Sequence, residues 1–187
     1  MQLDDIDLIR EYNNKKSSTA CYALISRYQQ SVFGMCYKIL KHREEAEEAA
    51  QDTFIKFFDS LEKLREPEKL KSWLLSIAYR TAIDFYRRKR PTMKEVESIP
   101  ESKLTGGENP QKILEKTQSK ELLEQVFDSL DKLDASILTL YYLDDMPIKE
   151  IAQTLNQTDS NIKIRLMRAR VYLREKMELI YLKELKV

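Results

Sequence analysis

Residues 91–112, P-T-M-K-E-V-E-S-I-P-E-S-K-L-T-G-G-E-N-P-Q-K, interrupt a chain that is otherwise patterned for helices. Three of the five prolines and two of the three glycines fall in this stretch. Its apolar residues keep no sustained period, so it reads as a flexible linker. It divides the chain into a unit of residues 1–90 and one of residues 113–187. Each is small for an independent core, yet about three to five packed helices suffice at that size.

On both sides of the linker, scarce glycine and abundant Leu, Glu, Lys, Ala and Ile favour helices over turn-rich β structure. The predicted fold class is all-α. Helices are expected over 3–13 and roughly 18–41, with Gly34 as the candidate break in the second. The next helix, about 43–64, carries Ala50, Phe54, Phe57, Leu61 and Leu64 on one face and Glu45, Glu48, Asp52 and Asp59 on the other. A fourth, about 70–90, is apolar nearly all round, with Trp73, Leu75, Ile77, Tyr79, Ile83, Phe85 and Tyr86. Such a helix is normally buried. This one ends D-F-Y-R-R-K-R-P at the edge of its unit, so part of its aromatic surface is expected to meet a partner. Beyond the linker, helices are predicted over about 112–130, 134–143, 148–155 and 159–182.

Net charge is only +1, but its distribution is uneven. Residues 61–90 hold nine Lys/Arg against four Asp/Glu, and residues 161–187 hold eight against three. Between them, residues 121–160 hold two against nine. Two basic segments flanking an acidic one point to a polyanion met at two places. The acidic segment, with Asp128, Asp131, Asp134, Asp144 and Asp145, reads as a solvated face, because EF-hand spacing is absent. No run of about 18 apolar residues could span a bilayer. The start, M-Q-L-D-D-I-D-L, lacks the layout of a signal peptide. The expected location is therefore the cytoplasm, where Cys21 and Cys36 would be reduced and buried. Two cysteines and His42 are too few for a usual zinc site, and nothing in the sequence orients them for catalysis. No metal or cofactor is expected. A phosphate-binding Gly-rich loop, G-x-S-x-G and H-E-x-x-H are all missing, so the chain is not read as an enzyme.

The most specific motif is M-P-I-K-E-I-A-Q-T-L-N-Q-T-D-S-N-I-K-I-R-L-M-R-A-R, residues 146–170. Pro147 suits a first helical turn, where its missing N–H costs nothing. Ile148, Ile151, Ala152 and Leu155 face inward. Asn156 stands where the turn needs a left-handed residue, and Thr158 is placed to cap the next helix. On that helix Ile162, Leu166, Ala169 and Leu173 form the core stripe. Ser160, Ile164, Arg168 and Val171 lie opposite, with Asn161, Lys163 and Met167 on the flanks. This is a helix-turn-helix whose second helix can enter a major groove, Ile164 meeting a thymine methyl while Asn161 and Arg168 donate to base edges or phosphates.

Taken together, these pieces resemble the extracytoplasmic-function (ECF) sigma factors, the small branch of the bacterial sigma-70-like family. E-A-E-E-A-A-Q-D-T-F, residues 45–54, is similar to the family's D-A-E-D-L-V-Q-E-x-F helix. S-W-L-L-S-I-A-Y-R-T-A-I-D-F-Y-R-R, residues 72–88, is similar to its W-L-x-x-I-A-x-N-x-A-I-D-x-x-R-R helix. The second unit resembles S-x-x-E-I-A-x-x-L-G-x-S-x-x-T-V-K-x-R-L-x-R-A-R. The resemblance implies that residues 1–90 bind core RNA polymerase and recognise and melt the −10 element, while 113–187 read the −35 duplex. Glu45, Glu48, Gln51, Asp52 and Lys56 would meet the clamp helices of the largest subunit. Arg65, Lys69, Lys71, Trp73, Tyr79, Arg80, Arg87 and Arg88 would hold the melted −10 strand. Ser160, Asn161, Lys163, Ile164, Arg165 and Arg168 would contact the −35 element. Implied partners are the polymerase clamp and flap regions, promoter DNA and an anti-sigma factor. The chain departs from the family pattern at four places. Arg80 stands where Asn is usual, Ala49–Ala50 replaces a bulkier pair, Asn156 replaces the turn glycine, and Ile137 lies where relatives often carry Arg.

A competing reading is a stand-alone helix-turn-helix regulator with a ligand-sensing helical N-terminal domain. It accounts for residues 146–170 but not for the aromatic, basic helix ahead of the linker.

Overall fold

A computed structural model of the protein describes residues 3–90, 126–127 and 129–184, with side chains as far as Glu178. The predicted linker and most of the predicted 112–130 helix lie outside these residues. Seven α-helices are seen within them: α1 (Asp5–Lys15), α2 (Ser18–Leu40), α3 (Arg43–Ser60), α4 (Leu70–Lys89), α5 (Lys132–Tyr142), α6 (Ile148–Leu155) and α7 (Asp159–Glu184). Two single 3-10 turns, Leu61–Lys63 and Pro67–Lys69, join α3 to α4. The described residues contain no strand.

Local chemistry sets the ends of the first helices. The Asp7 N–H donates to the Asp4 carboxylate at 2.8 Å and starts α1, and Ser17 caps α2 through the Ala20 N–H at 3.3 Å. These side chains satisfy N–H groups that a helix start leaves without partners. Lys16 and Lys41 close the two helices with positive φ of 49° and 54°. The expected break at Gly34 does not occur, and α2 runs through it. A mid-helix glycine costs about 1 kcal/mol relative to alanine. Burial of Leu24, Val32, Met35, Cys36 and Ile39 along the same helix outweighs that cost. The predicted 43–64 helix ends earlier, at Ser60, where the chain tightens into a 3-10 turn.

Helix α2 is the central strut of the first unit, packed by α1, α3 and α4. Leu24, Met35, Ile39, Phe57, Leu61, Leu70, Leu74 and Leu75 are fully buried between them. In the second unit α5, α6 and α7 pack on one another around Ile137, Leu138, Leu140, Ile151 and Ile162. Ile137, one of the departures noted in the sequence, is thus a core residue. The units also touch, α5 against α2 and α6 against α4.

Two expectations need correction. The acidic segment is not simply a solvated face, because Asp134 is 2% and Asp144 8% exposed. Asp128 lies outside the described residues. Both thiols are free, but only Cys36 is buried. Burial pushes its pKa up to about 12, whereas the half-buried Cys21 is raised less far by the same cause.

Candidate polymerase and nucleic-acid interfaces

The outward face of α3 is set by helical spacing. Glu48 and Gln51 are exposed and Asp52 is half-buried. The Lys56 ammonium leans back to donate to Thr81 Oγ1 at 3.1 Å. Glu45 is not presented in the same way. Its side chain is 14% exposed and forms ion pairs with Arg90 at 3.1 Å and Lys89 at 3.7 Å. Sequence reasoning missed Ile55, which is 60% exposed and flanked on the wheel by Glu48, Gln51, Asp52 and Asp59. Its signal was available, because Ile55 falls one residue off the Phe54–Phe57–Leu61 stripe.

The second site surrounds the start of α4. A cavity of about 330 Å³ is lined by Lys63, Arg65, Lys69, Trp73, Ser76 and Arg80, with Gln153 and Thr154 of α6 at its far wall. Trp73 forms an apolar wall and is held by Phe57, the two ring centroids lying 5.6 Å apart. It therefore serves the core and the cavity together. Arg80 is exposed and donates to Ser76 Oγ at 3.2 Å, while Lys69 pairs with Glu66. Four cations and one carboxylate, Glu66, surround the indole, and this net positive charge suits an anionic strand with an unstacked base. Trp73, Ser76, Arg80 and Arg87 recur at helical spacing along one side of α4. Arg88 is exposed, with its guanidinium 5.5 Å from the Phe85 ring centroid.

Lys71 and Tyr79 are placed differently. The Lys71 ammonium reaches the second unit, 3.0 Å from the Asp144 carboxylate and 2.9 Å from the Asp144 carbonyl oxygen. Ser72, Tyr79 and Tyr86 recur at seven-residue spacing along α4, and the first and last of them meet the second unit. The Ser72 carbonyl accepts from Thr154 Oγ1 at 3.4 Å, and the Lys132 ammonium sits 3.8 Å from the Tyr86 ring centroid. Lys71 is thus paired with the second unit, Trp73 and Arg80 line the cavity between the units, and Arg87 and Arg88 are exposed.

The third site is the helix-turn-helix. Pro147 is the residue before α6 rather than within its first turn. Asn156 adopts φ 54° and ψ 48°, the left-handed geometry that the sequence predicted. Its N–H and that of Gln157 bond back to carbonyls of the last turn of α6, closing the helix. Thr158 Oγ1 accepts from the Asn161 N–H at 3.2 Å, the expected cap of α7. Ile162, Leu166, Ala169 and Leu173 are buried as predicted. Ser160 and Lys163 project into solvent with Ile164 at 44% and Met167 at 42% exposure, and Arg168 is half-buried. Asn161 is oriented by a 2.6 Å hydrogen bond from its amide to Gln157 Oε1.

Arg165 points back into the unit. It pairs with Asp134 at 2.7 Å and Asp131 at 2.9 Å. Burial raises the Asp134 pKa, opposed by the Arg165 guanidinium. Burial also weakens the Arg165 charge, but hydrogen bonds to Asp134 and Asp131 outweigh that and raise its pKa. The clasp fixes the angle between α5 and α7. No local pattern announces it, because 31 residues separate its main partners.

Comparison with known proteins agrees with this geometry. Residues 24–92 match the family described as sigma-70 region 2, and residues 120–173 match sigma-70 region 4. RNA polymerase sigma factor YlaC of Bacillus subtilis is 30% identical over 155 residues, covering 82% of this chain and 90% of that protein. The ECF RNA polymerase sigma-E factor of Escherichia coli is 26% identical over 188 residues, covering 95% of this chain and 96% of that one. Among solved structures, CnrH in complex with the cytosolic domain of CnrY superposes with a TM-score of 0.64 at 18% identity, covering 94% of this chain and 97% of that one. The sigma factor RpoE of Bartonella quintana, solved with the anti-sigma factor NepR, gives 0.60 at 18% identity over 82% of this chain and 94% of that one. These two show a shared fold. With both sigma regions matched in order and a relative at this identity along most of its length, the chain belongs to the ECF sigma factors, which bind core RNA polymerase and direct it to promoters.

Proposed function

We propose that the three surfaces divide the work of initiation among named residues. Residues 1–90 act as the polymerase-binding and −10 unit, 91–112 as a tether, and 113–187 as the −35 reader. Glu48, Gln51 and Asp52, centred on Ile55, dock the clamp helices of the largest subunit. Glu45 steadies α3 against the end of α4, and Lys56 braces α3 against Thr81. Arg65, Lys69, Trp73 and Arg80 hold the melted −10 strand at the cavity. Lys71, Tyr79, Arg87 and Arg88 contact its continuation, the last two through phosphates without reading sequence. Ser160, Asn161, Lys163, Ile164 and Arg168 read the −35 duplex, and Arg165 positions α7 beneath them.

The observation that carries this reading is the outer face of α7. It combines an exposed isoleucine and methionine with cations on a helix that is capped and clasped. That surface has a use in a major groove and little use in solvent. The test is to map transcription starts after overproduction of the chain and of Ile164→Ala. The parent should yield starts preceded by two shared sequence elements. Ile164→Ala should relax the base choice at one position of the upstream element, a discrimination loss of about 1–3 kcal/mol. Identical start sites with unchanged upstream sequence would remove Ile164 from the reader. Charge reversal at Glu48 and Asp52 should weaken co-purification with core polymerase while helicity is retained.

The chain acts without catalysis of its own, in the cytoplasm, where polymerase and promoters are found. No helix among the described residues is long and apolar enough to cross a membrane. CnrH is described in complex with the cytosolic domain of CnrY and RpoE with the anti-sigma factor NepR, and an anti-sigma factor is proposed for this chain.

A further inference from the structure

Asp144 lies in the turn after α5, between the two units. Its side chain is 4% exposed, and its carboxylate meets Ser31 and Lys71 of the first unit. Ser31 Oγ on α2 donates to it at 2.8 Å, and the Lys71 ammonium lies 3.0 Å from the same carboxylate oxygen. Lys71 also donates to the Asp144 main-chain oxygen at 2.9 Å. A carboxylate that accepts from a hydroxyl and an ammonium offers what a strand phosphate would offer to Lys71. Two further links close the same seam, Thr154 to the Ser72 carbonyl and Lys132 over Tyr86. Gln153 and Thr154 stand at the cavity wall that Trp73 and Arg80 share.

We propose that Asp144 is an intramolecular latch: it holds the second unit on α2 and α4 and withholds Lys71 and the far wall of the cavity from single-stranded DNA until the strand displaces it. This rests on the assignment of Lys71 to the −10 strand made above. A carboxylate is displaced by a polyphosphate chain because the strand brings several charges to Lys71, Arg80 and Arg87 together, whereas the latch brings one. The apparent affinity of the free chain for a strand is then reduced in proportion to the fraction that is latched.

The test uses the full chain and four variants: Asp144→Asn, Ser31→Ala, Asp145→Asn and Asp144→Asn with Lys71→Gln. Asp145 is the exposed neighbour of Asp144, so its variant makes the same change in net charge outside the latch. Binding of a short fluorescein-labelled single-stranded DNA of mixed sequence is followed by anisotropy, and compactness by small-angle scattering. Asp144→Asn should enlarge the radius of gyration and tighten DNA binding by roughly tenfold if about nine-tenths of the chain is latched. Ser31→Ala should move both readouts the same way to a smaller degree, and Asp145→Asn should move neither. A chain that stays compact in Asp144→Asn and Ser31→Ala overturns the latch. Expansion with no gain in DNA binding beyond that of Asp145→Asn overturns the competition. The −10 assignment is read separately: the double variant should lose the gained affinity, and if it binds as tightly as Asp144→Asn while remaining expanded, Lys71 is not a strand contact.

Discussion

The two nucleic-acid faces proposed for this protein are built on opposite principles. On α7 the working side chains project: Ile164 and Met167 stand out from a helix whose other side is anchored in the core. On α4 the large side chains sink to half burial, and what they offer is a cavity walled by Trp73 and ringed with cations. A duplex presents its information inside a groove, so its reader must protrude from a backbone that does not move. A lone strand presents its bases to any surface, so its holder needs concavity and charge. Similar residue types produce a ridge or a cavity according to how far they sit from the core stripe.

The largest expected effect tests whether the α4 cavity depends on the core behind it. Phe57 is fully buried and packs against Trp73 and Phe58. Phe57→Ala should cost about 3–5 kcal/mol in urea denaturation. Emission from Trp73, the one tryptophan of the chain, should shift to the red as its support is lost. A cost below about 1 kcal/mol would mean that the cavity wall stands by itself. Next in size is Arg165→Ala, expected to cost about 3 kcal/mol because it leaves the buried Asp134 carboxylate without its cation. Lys163→Ala, on the exposed side, should change stability by less than about 0.5 kcal/mol while weakening duplex binding. If Arg165→Ala melts like the parent and loses duplex binding instead, Arg165 returns to the DNA face. A smaller loss of stability than that of Arg165→Ala belongs to the ridge alone. Thr158→Ala should cost about 1 kcal/mol through the lost cap on the Asn161 N–H, measured by thermal unfolding.

The parts of the fold that rest on near neighbours were legible in the sequence. The left-handed Asn156, the Thr158 cap and the buried stripe of α7 all follow from residues within a few positions of one another. So does the alternation of core and outer faces on α3. The parts that rest on distant neighbours were not. Glu45 looks like one more acid on an outer face until α4 folds back and brings Arg90 to it across 45 residues of sequence. Lys71 looks like one more strand-binding cation until Asp144 arrives from 73 residues away. Charge pattern tells which face an ion lies on, but packing decides which counter-ion it meets. Gly34 erred in the other direction, because propensity marks a weak point and burial on either side of it removes the weakness.

The pairing of Glu45 with Lys89 and Arg90 has a consequence for promoter geometry. It ties the last turn of α4 to α3, so the first unit ends at a defined point. On the proposed assignment of the two units, the distance between the promoter elements is then gauged from this anchored helix end. Cutting the pairing with Glu45→Gln should leave each element recognised but broaden the range of spacer lengths that support transcription, as a graded series of spacers would reveal.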